Sequence, residues 1–213
     1  MANVTDYRKE YKNLYLPKSK PVMIDVPEIQ FVAVEGTGNP NEENGEYQKA
    51  IAILYGIQYT IKMSKNGINA PNGYFDYIVP PLEGFWWLDQ HDGDFSIENK
   101  SKYNWISVIR LPEFVDEKVF EWACNEATKK KKIDVSKAKY LKIKEGLCVQ
   151  CLHTGSYDDE PKTLKLMKDF IAEKGLQSDI SDTRKHHEIY LSNPQKTEVS
   201  KLKTVLRIPI RND

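Results

Sequence analysis

The sequence predicts an α+β fold made of two strand-helix-strand-strand units, paired about a pseudo-twofold axis with a ligand groove at their junction. Three observations lead there. Segments with helical spacing alternate with short strand-like runs, and this order occurs twice. Ser107-Val108-Ile109-Arg110-Leu111-Pro112 returns position for position as Thr204-Val205-Leu206-Arg207-Ile208-Pro209. Thr37-Gly38 returns as Thr154-Gly155, each between a predicted strand and a predicted helix. One such unit encloses little core, so two should pack together. The 213 residues are read as a single domain, with a first repeat over about 28–112, a linker helix over about 116–132 and a second repeat over about 146–210.

The elements follow in order. Tyr7, Tyr11, Leu14 and Tyr15 fall at near-helical spacing in a polar segment interrupted by Pro17 and Pro21, which predicts a short docking helix. Gln30 to Gly36 alternates as a strand, and the loop Thr37 to Asn41 ends it. From Glu46 to about Lys62, Tyr47, Ile51, Leu54, Ile57 and Ile61 form one apolar stripe of a helix. Asn66-Gly67 and Asn72-Gly73 mark turns. Gly73 to Val79 reads as a strand, Pro80-Pro81 breaks it, and Leu82 to Leu88 resumes as an aromatic strand before a polar loop from about Asp89 to Lys102. Trp105 to Leu111 closes the half. A helix from about Asp116 to Lys132 carries Val119, Trp122 and Ala123, and its basic end, Lys129 to Lys132, complements the helix dipole. The second half has a strand at Gly146–His153, a loop at Thr154–Tyr157, a helix from Pro161 to Lys174 stopped by Gly175, and strands at Lys185–Leu191 and Lys203–Pro209.

Composition removes several function classes. Thirty-one basic residues balance 31 acidic ones, so no net field draws the chain to nucleic acid or to an anionic membrane. No apolar run reaches the length of a membrane span and the N-terminus lacks a signal-peptide core, so the expected place is the cytoplasm. Three cysteines, Cys124, Cys148 and Cys151, are too few and too odd in number for a disulfide framework. Cys148 and Cys151 have redox spacing but lie in a predicted strand with their sulfurs on opposite faces. His186 and His187 are adjacent in a strand, so they cannot chelate one ion, and no metal is expected. Gly36-Thr37-Gly38 lacks the third glycine of a dinucleotide fingerprint, and no cofactor is expected.

The candidate site centres on the strand Lys185 to Leu191, which carries a carboxylate among aromatic and apolar neighbours. Alternation turns Glu188 and Tyr190 to one face and His187 and Ile189 to the other. A buried carboxylate has to bind a cation, accept hydrogen bonds or move protons. Aligning the repeats makes Tyr77 the counterpart of Glu188, facing it across the groove. Trp86 and Trp87 are adjacent, so one of them faces the groove, and Trp87 is taken as that one. Trp122 on the linker helix would roof the groove, Trp105 is a further aromatic candidate, and Tyr157 follows a turn where loops deliver functional side chains. Packing alone would also account for each aromatic.

Four segments carry a resemblance: Gly38 to Asn41, Pro81 to Trp87, His153 to Pro161 and His186 to Pro194. They resemble the GyrI-like small-molecule-binding proteins, related to the effector-binding domains of multidrug-responsive transcription regulators, over about Tyr7 to Pro209. The Trp86-Trp87 segment is similar to that of the cyclopropanoid cyclopropyl hydrolase subfamily, whose members open the cyclopropane ring of yatakemycin- and duocarmycin-like DNA-alkylating compounds within an aromatic cage. The regulators' DNA-binding helices are missing from this sequence. The resemblance implies an apolar polycyclic small molecule held in an aromatic cage, with Glu188 as general base or ligand acceptor; beside it, turn position makes Tyr157 the expected proton donor, and Trp87, Trp105, Trp122, Tyr77, Tyr190 and His187 are the residues expected around the ligand. Alternatives are a non-catalytic binder that sequesters aromatic or cationic drugs, and a protein-interaction module. The oligomeric state is left open.

Overall fold

The computed structural model describes residues 4–66, 70–88 and 102–212. Two short helices, α1 (Tyr7–Glu10) and α2 (Lys12–Tyr15), precede strand β1 (Val22–Thr37), helix α3 (Glu46–Met63), and strands β2 (Leu82–Trp87) and β3 (Asn104–Arg110). Helix α4 (Glu117–Lys131) leads to β4 (Ala138–Thr154), helix α5 (Glu160–Glu173), and strands β5 (Leu176–Ser178), β6 (His186–Tyr190) and β7 (Lys203–Asn212). The strand order is β4-β1-β3-β2-β6-β7-β5, and β4 also pairs with β7, so six of these strands close into a ring. Every named pair is antiparallel.

β1 and β4 run 16 and 17 residues, about twice the length predicted for each. In β1 the polar stretch around Pro27 reads as a break. It is tolerated because the register passes from Val26↔Gly146 to Glu28↔Lys144, leaving Pro27 where no ladder N–H is needed. The strand expected over Gly73–Val79 does not form: Tyr77 makes one isolated parallel bridge with Thr5, and Pro80-Pro81 supplies no donors to extend it. The expected polar loop lies outside the described residues as far as Ser101, as does Gly67 of the Asn66-Gly67 turn.

α3 buries Tyr47, Leu54, Ile57 and Ile61 against the sheet, as its stripe requires. α4 is capped by Asp116, whose carboxylate accepts from the Val119 N–H at 2.9 Å, and ends at Lys132 in the left-handed region at φ 54°. α5 buries Met167 and Ile171 in a second core cluster with Cys151, Leu206 and Ile208, whereas Cys148 belongs to the main cluster. Neither sulfur is placed to meet the other.

The N-terminal segment is held by polar contacts with the sheet. Arg207 donates to the Leu14 carbonyl at 2.5 Å, Gln150 to that of Asn13 at 2.6 Å, and Tyr15 to the Glu83 carboxylate at 3.3 Å. Beneath it lies a buried ionic cluster. The His187 ring nitrogens stand 3.1 Å from Glu83 and 3.0 Å from Glu145, and Arg207 pairs with Glu145 at 2.9 Å. Buried charges are tolerable only when paired in this way.

Candidate functional site

Alternation along β6 turns His186, Glu188 and Tyr190 away from that cluster, into a cavity of about 1120 Å³ between α3 and the start of α5. β2 supplies Leu82 and Trp86 to the same cavity, and α3 supplies Tyr47. The registers Gly84↔Glu188 and Trp86↔His186 put these side chains next to one another.

Glu188 sits at the centre of a relay. The Trp86 indole N–H donates to the Tyr190 hydroxyl oxygen at 2.9 Å, and Tyr190 donates to Glu188 Oε2 at 2.7 Å. The other carboxylate oxygen lies 3.2 Å from His186 Nε2. Among the described residues each oxygen has one hydrogen-bond partner, and it keeps lone-pair capacity for a ligand or a water. Glu188 is 14% exposed at its side chain, enough for access from the cavity but not from bulk water on all sides.

The phenols around it are kept protonated. Burial first, and then the charge on Glu188, raise the Tyr190 pKa well above its ordinary value. Burial, followed by Glu160 and Glu188, pushes Tyr157 up to about 12. Burial, then Glu188 and Glu160, also raises Tyr103. These hydroxyls therefore remain donors at neutral pH. Tyr157 meets Tyr190 edge to face at 6.0 Å, while Trp86 lies 5.4 Å from Tyr47 and 5.9 Å from Tyr103. The arrangement can hold a flat apolar molecule by ring contacts and offer it both a carboxylate and phenol donors.

Glu188, Tyr190 and Tyr157 all line the cavity, and the structure brings them together. It does not bring the other candidates there. Trp86 rather than Trp87 faces inward, because its partner across the ladder is His186 on the cavity face; Trp87 is partly buried beneath the Lys185 ammonium, 4.6 Å away. His187 points to the opposite side of the sheet, stacked on Phe85 at 4.0 Å. Tyr77 is fully buried and hydrogen-bonds Gln58 at 3.2 Å, so it does not face Glu188. Trp105 is buried 5.1 Å from Tyr47 as a support behind it. Trp122 packs against the main core from α4 and forms no roof over the cavity.

Sequence reasoning weighs Trp86 only as the alternative to Trp87, and it does not bring Tyr47, Tyr103, His186 or Glu160 to the cavity. His186 was within reach, since it stands two residues before Glu188 and must share its face. Tyr47 opens the α3 stripe, and its helical spacing alone marks it as core.

The match to the GyrI-like small molecule binding domain covers residues 19–211. The chain belongs to the GyrI-like family. A hydrolase from Listeria innocua is 45% identical with a TM-score of 0.88, over 98% of this chain and 100% of that one. A conserved protein from the same organism is 46% identical with a TM-score of 0.91 over the same shares. The C-terminal domain of EcmrR, at 13% identity and a TM-score of 0.52 over 91% of this chain and 98% of that one, shares the fold alone. No curated protein matches the sequence. In this GyrI-like domain the small-molecule-sized cavity and the relay on Glu188 coincide, and among the described residues no helix is long and apolar enough to cross a membrane.

Proposed function

We propose that this protein binds flat, apolar polycyclic molecules and hydrolyses the cyclopropane ring of yatakemycin- or duocarmycin-like alkylating compounds, which would detoxify them. The observation that carries this reading is the Glu188 carboxylate, held by Tyr190 and His186 inside an aromatic-lined cavity. Membership of a small-molecule-binding family and likeness to a protein described as a hydrolase support it.

In the proposed step a water on Glu188 attacks the strained cyclopropane carbon. The new C–O bond forms as the ring C–C bond breaks, and its electron pair moves into the conjugated dienone to give a phenolate. Glu188 takes the water proton, and a phenol donor such as Tyr157 protonates the developing phenolate oxygen. Water has then been added across the bond, and the proton on Glu188 passes through solvent to the Tyr157 phenolate, which restores both groups. General acid–base assistance of this kind is worth about a hundred- to ten-thousandfold.

The reading of the fold as a duplication about a pseudo-twofold axis is supported by the antiparallel β1–β4 and β2–β6 pairs, which join corresponding strands of the two halves. A second functional reading, sequestration of cationic aromatic drugs, is favoured by the charges of the lining: Asp158, Glu160 and Glu188 against Arg8. Incubating the protein substoichiometrically with a duocarmycin-type compound, and following ring opening by mass spectrometry, separates the two. Many turnovers per protein support hydrolysis, whereas protection limited to one equivalent supports sequestration.

A further inference from the structure

His153 is a buried titratable group that the proposed step does not use. It is 4% exposed, and its place follows from the sheet registers. Thr204 pairs with His153 across β4 and β7 and with Tyr190 across β6 and β7, so the three side chains form one row on the cavity face. Tyr190 reaches the cavity and the relay, whereas His153 does not line the cavity. It reaches the loop between β4 and α5 instead.

There both ring nitrogens are engaged. Nε2 lies 2.9 Å from the Ser156 carbonyl oxygen, and Nδ1 lies 2.9 Å from the Thr163 hydroxyl in the first turn of α5. A carbonyl can only accept, so Nε2 carries the hydrogen, and in the neutral ring Nδ1 accepts from Thr163. The imidazole thus ties the strand that enters the loop to the helix that leaves it. Ser156 is held at further points: its carbonyl also accepts from the Asp159 N–H at 2.9 Å, and its hydroxyl from the Asp158 N–H at 3.2 Å. Gly155 makes the bend at φ 132°, which side chains rarely allow, and its N–H donates to the Leu202 carbonyl at 3.0 Å. The next residue is Tyr157. Its peptide begins at the carbonyl that His153 holds, and its ring meets Tyr190 edge to face at 6.0 Å.

We infer that His153 is a positioning residue for Tyr157, its Nε2–H fixing the Ser156 carbonyl so that the phenol is held at the place where it delivers its proton. The edge contact with Tyr190 limits the ring but not the backbone from which the ring projects; the bond from His153 fixes that backbone. A general acid has to stand within hydrogen-bond reach of the atom it protonates, and a misplacement of about 1 Å can cost about a hundredfold. His153 touches no substrate and exchanges no proton in this role. Thr163 completes it by setting the plane of the imidazole from α5. This inference rests on the reading of Tyr157 as the proton donor.

The test takes the full chain labelled with meta-fluorotyrosine, assigns the Tyr157 fluorine resonance by its loss in Tyr157→Phe, and measures kcat and KM for a duocarmycin-type compound. Glutamine carries its amide nitrogen where Nε2 stands and asparagine where Nδ1 stands, so His153→Gln keeps the donor to Ser156 and His153→Asn loses it. His153→Asn should move the Tyr157 resonance and lower kcat about tenfold with KM within about twofold, whereas His153→Gln should keep the resonance in place and kcat within about threefold. In a Tyr157→Phe background His153→Asn should lower kcat by less than about a further twofold, because the group it positions is already gone. Thr163→Val should move the same resonance and lower kcat about threefold, and it decides the matter should His153→Asn fail to fold. A Tyr157 resonance that stays in place in these variants, or a loss of kcat that is as large in the Tyr157→Phe background, overturns the role. Absence of turnover in the wild type overturns the hydrolysis reading, and the fluorine resonance alone then decides whether His153 holds Tyr157.

Discussion

The indole N–H of Trp86 donates to the phenol oxygen of Tyr190 at 2.9 Å, across the ladder that joins β2 to β6. Through that bond the largest ring of the cavity is tied to the carboxylate, because Tyr190 passes its own hydrogen to Glu188. Gly84 makes the contact possible. A Cβ at position 84 would stand 2.6 Å from the Trp86 indole nitrogen and 3.3 Å from the Tyr190 hydroxyl, so only glycine leaves the indole room to lie there.

Gly84→Ala should therefore dislodge Trp86 without unfolding the sheet. Overpacking of this kind costs about 1–3 kcal/mol. The measurement is the ¹H–¹⁵N resonance of the Trp86 indole, assigned by its loss in Trp86→Phe. It should move to the position of an indole without its hydrogen bond, with weaker binding of an aromatic probe. An unmoved resonance would show that the glycine is not what seats the ring.

The two adjacent tryptophans should behave differently. Trp86→Phe removes both ring area and the donor to Tyr190 and should weaken binding of a flat aromatic probe by about tenfold. Trp87→Phe, whose ring lies beneath Lys185 outside the cavity, should change it by less than about twofold. Titration of both variants with indole-2-carboxamide checks the pair, and a larger loss in Trp87→Phe would reverse the assignment.

Much of this site was legible in the sequence, and the rest was not for identifiable reasons. Period-two alternation places Glu188 and Tyr190 on one face without further information. It cannot choose between Trp86 and Trp87, because the choice depends on which residue of β6 lies opposite, and that register is set by distant pairing. The same alternation puts His187 behind the sheet, which argues against the place around the ligand that the sequence reading gives it. The ionic cluster of Glu83, Glu145, His187 and Arg207 draws one residue from each of four strands and leaves no local signal. The first halves of β1 and β4 were missed because Pro27 in one, and alternating lysines in the other, look like loop chemistry until the strands are paired.

That cluster should make stability depend on pH in a defined direction. Burial alone would lower the His187 pKa, but Glu145 and Glu83 more than offset it and raise it above its ordinary value. Its contribution is thus fully present below about pH 6.5, the unfolded value, and is lost as pH rises through the higher folded value. Burial would raise Glu145, yet His187 and Arg207 hold it down to about 2, so its contribution is present above its ordinary range and lost as pH falls towards 2. Melting temperatures across pH should show both limbs. His187→Gln should abolish the alkaline limb and cost about 3 kcal/mol or more by removing the cation beside Glu83 and leaving Glu145 with Arg207 alone.

Tyr157→Phe should leave ligand affinity within about threefold, since the ring survives, while turnover of a duocarmycin-type compound falls about a hundredfold for loss of the proton donor. Equal turnover in the variant would move the donor role to another of the protonated phenols, Tyr103 or Tyr190.

The most direct measurement is the paired determination of ligand affinity and ring-opening rate in Glu188→Gln. The amide keeps the size of the side chain and can still accept from Tyr190, but it cannot take a proton from water. Affinity for a duocarmycin-type compound should stay within about tenfold of the wild type, while the rate of ring opening falls by about a hundredfold or more. An unchanged rate in that variant would contradict the account, because the cavity would then be opening the ring without the carboxylate around which it is arranged.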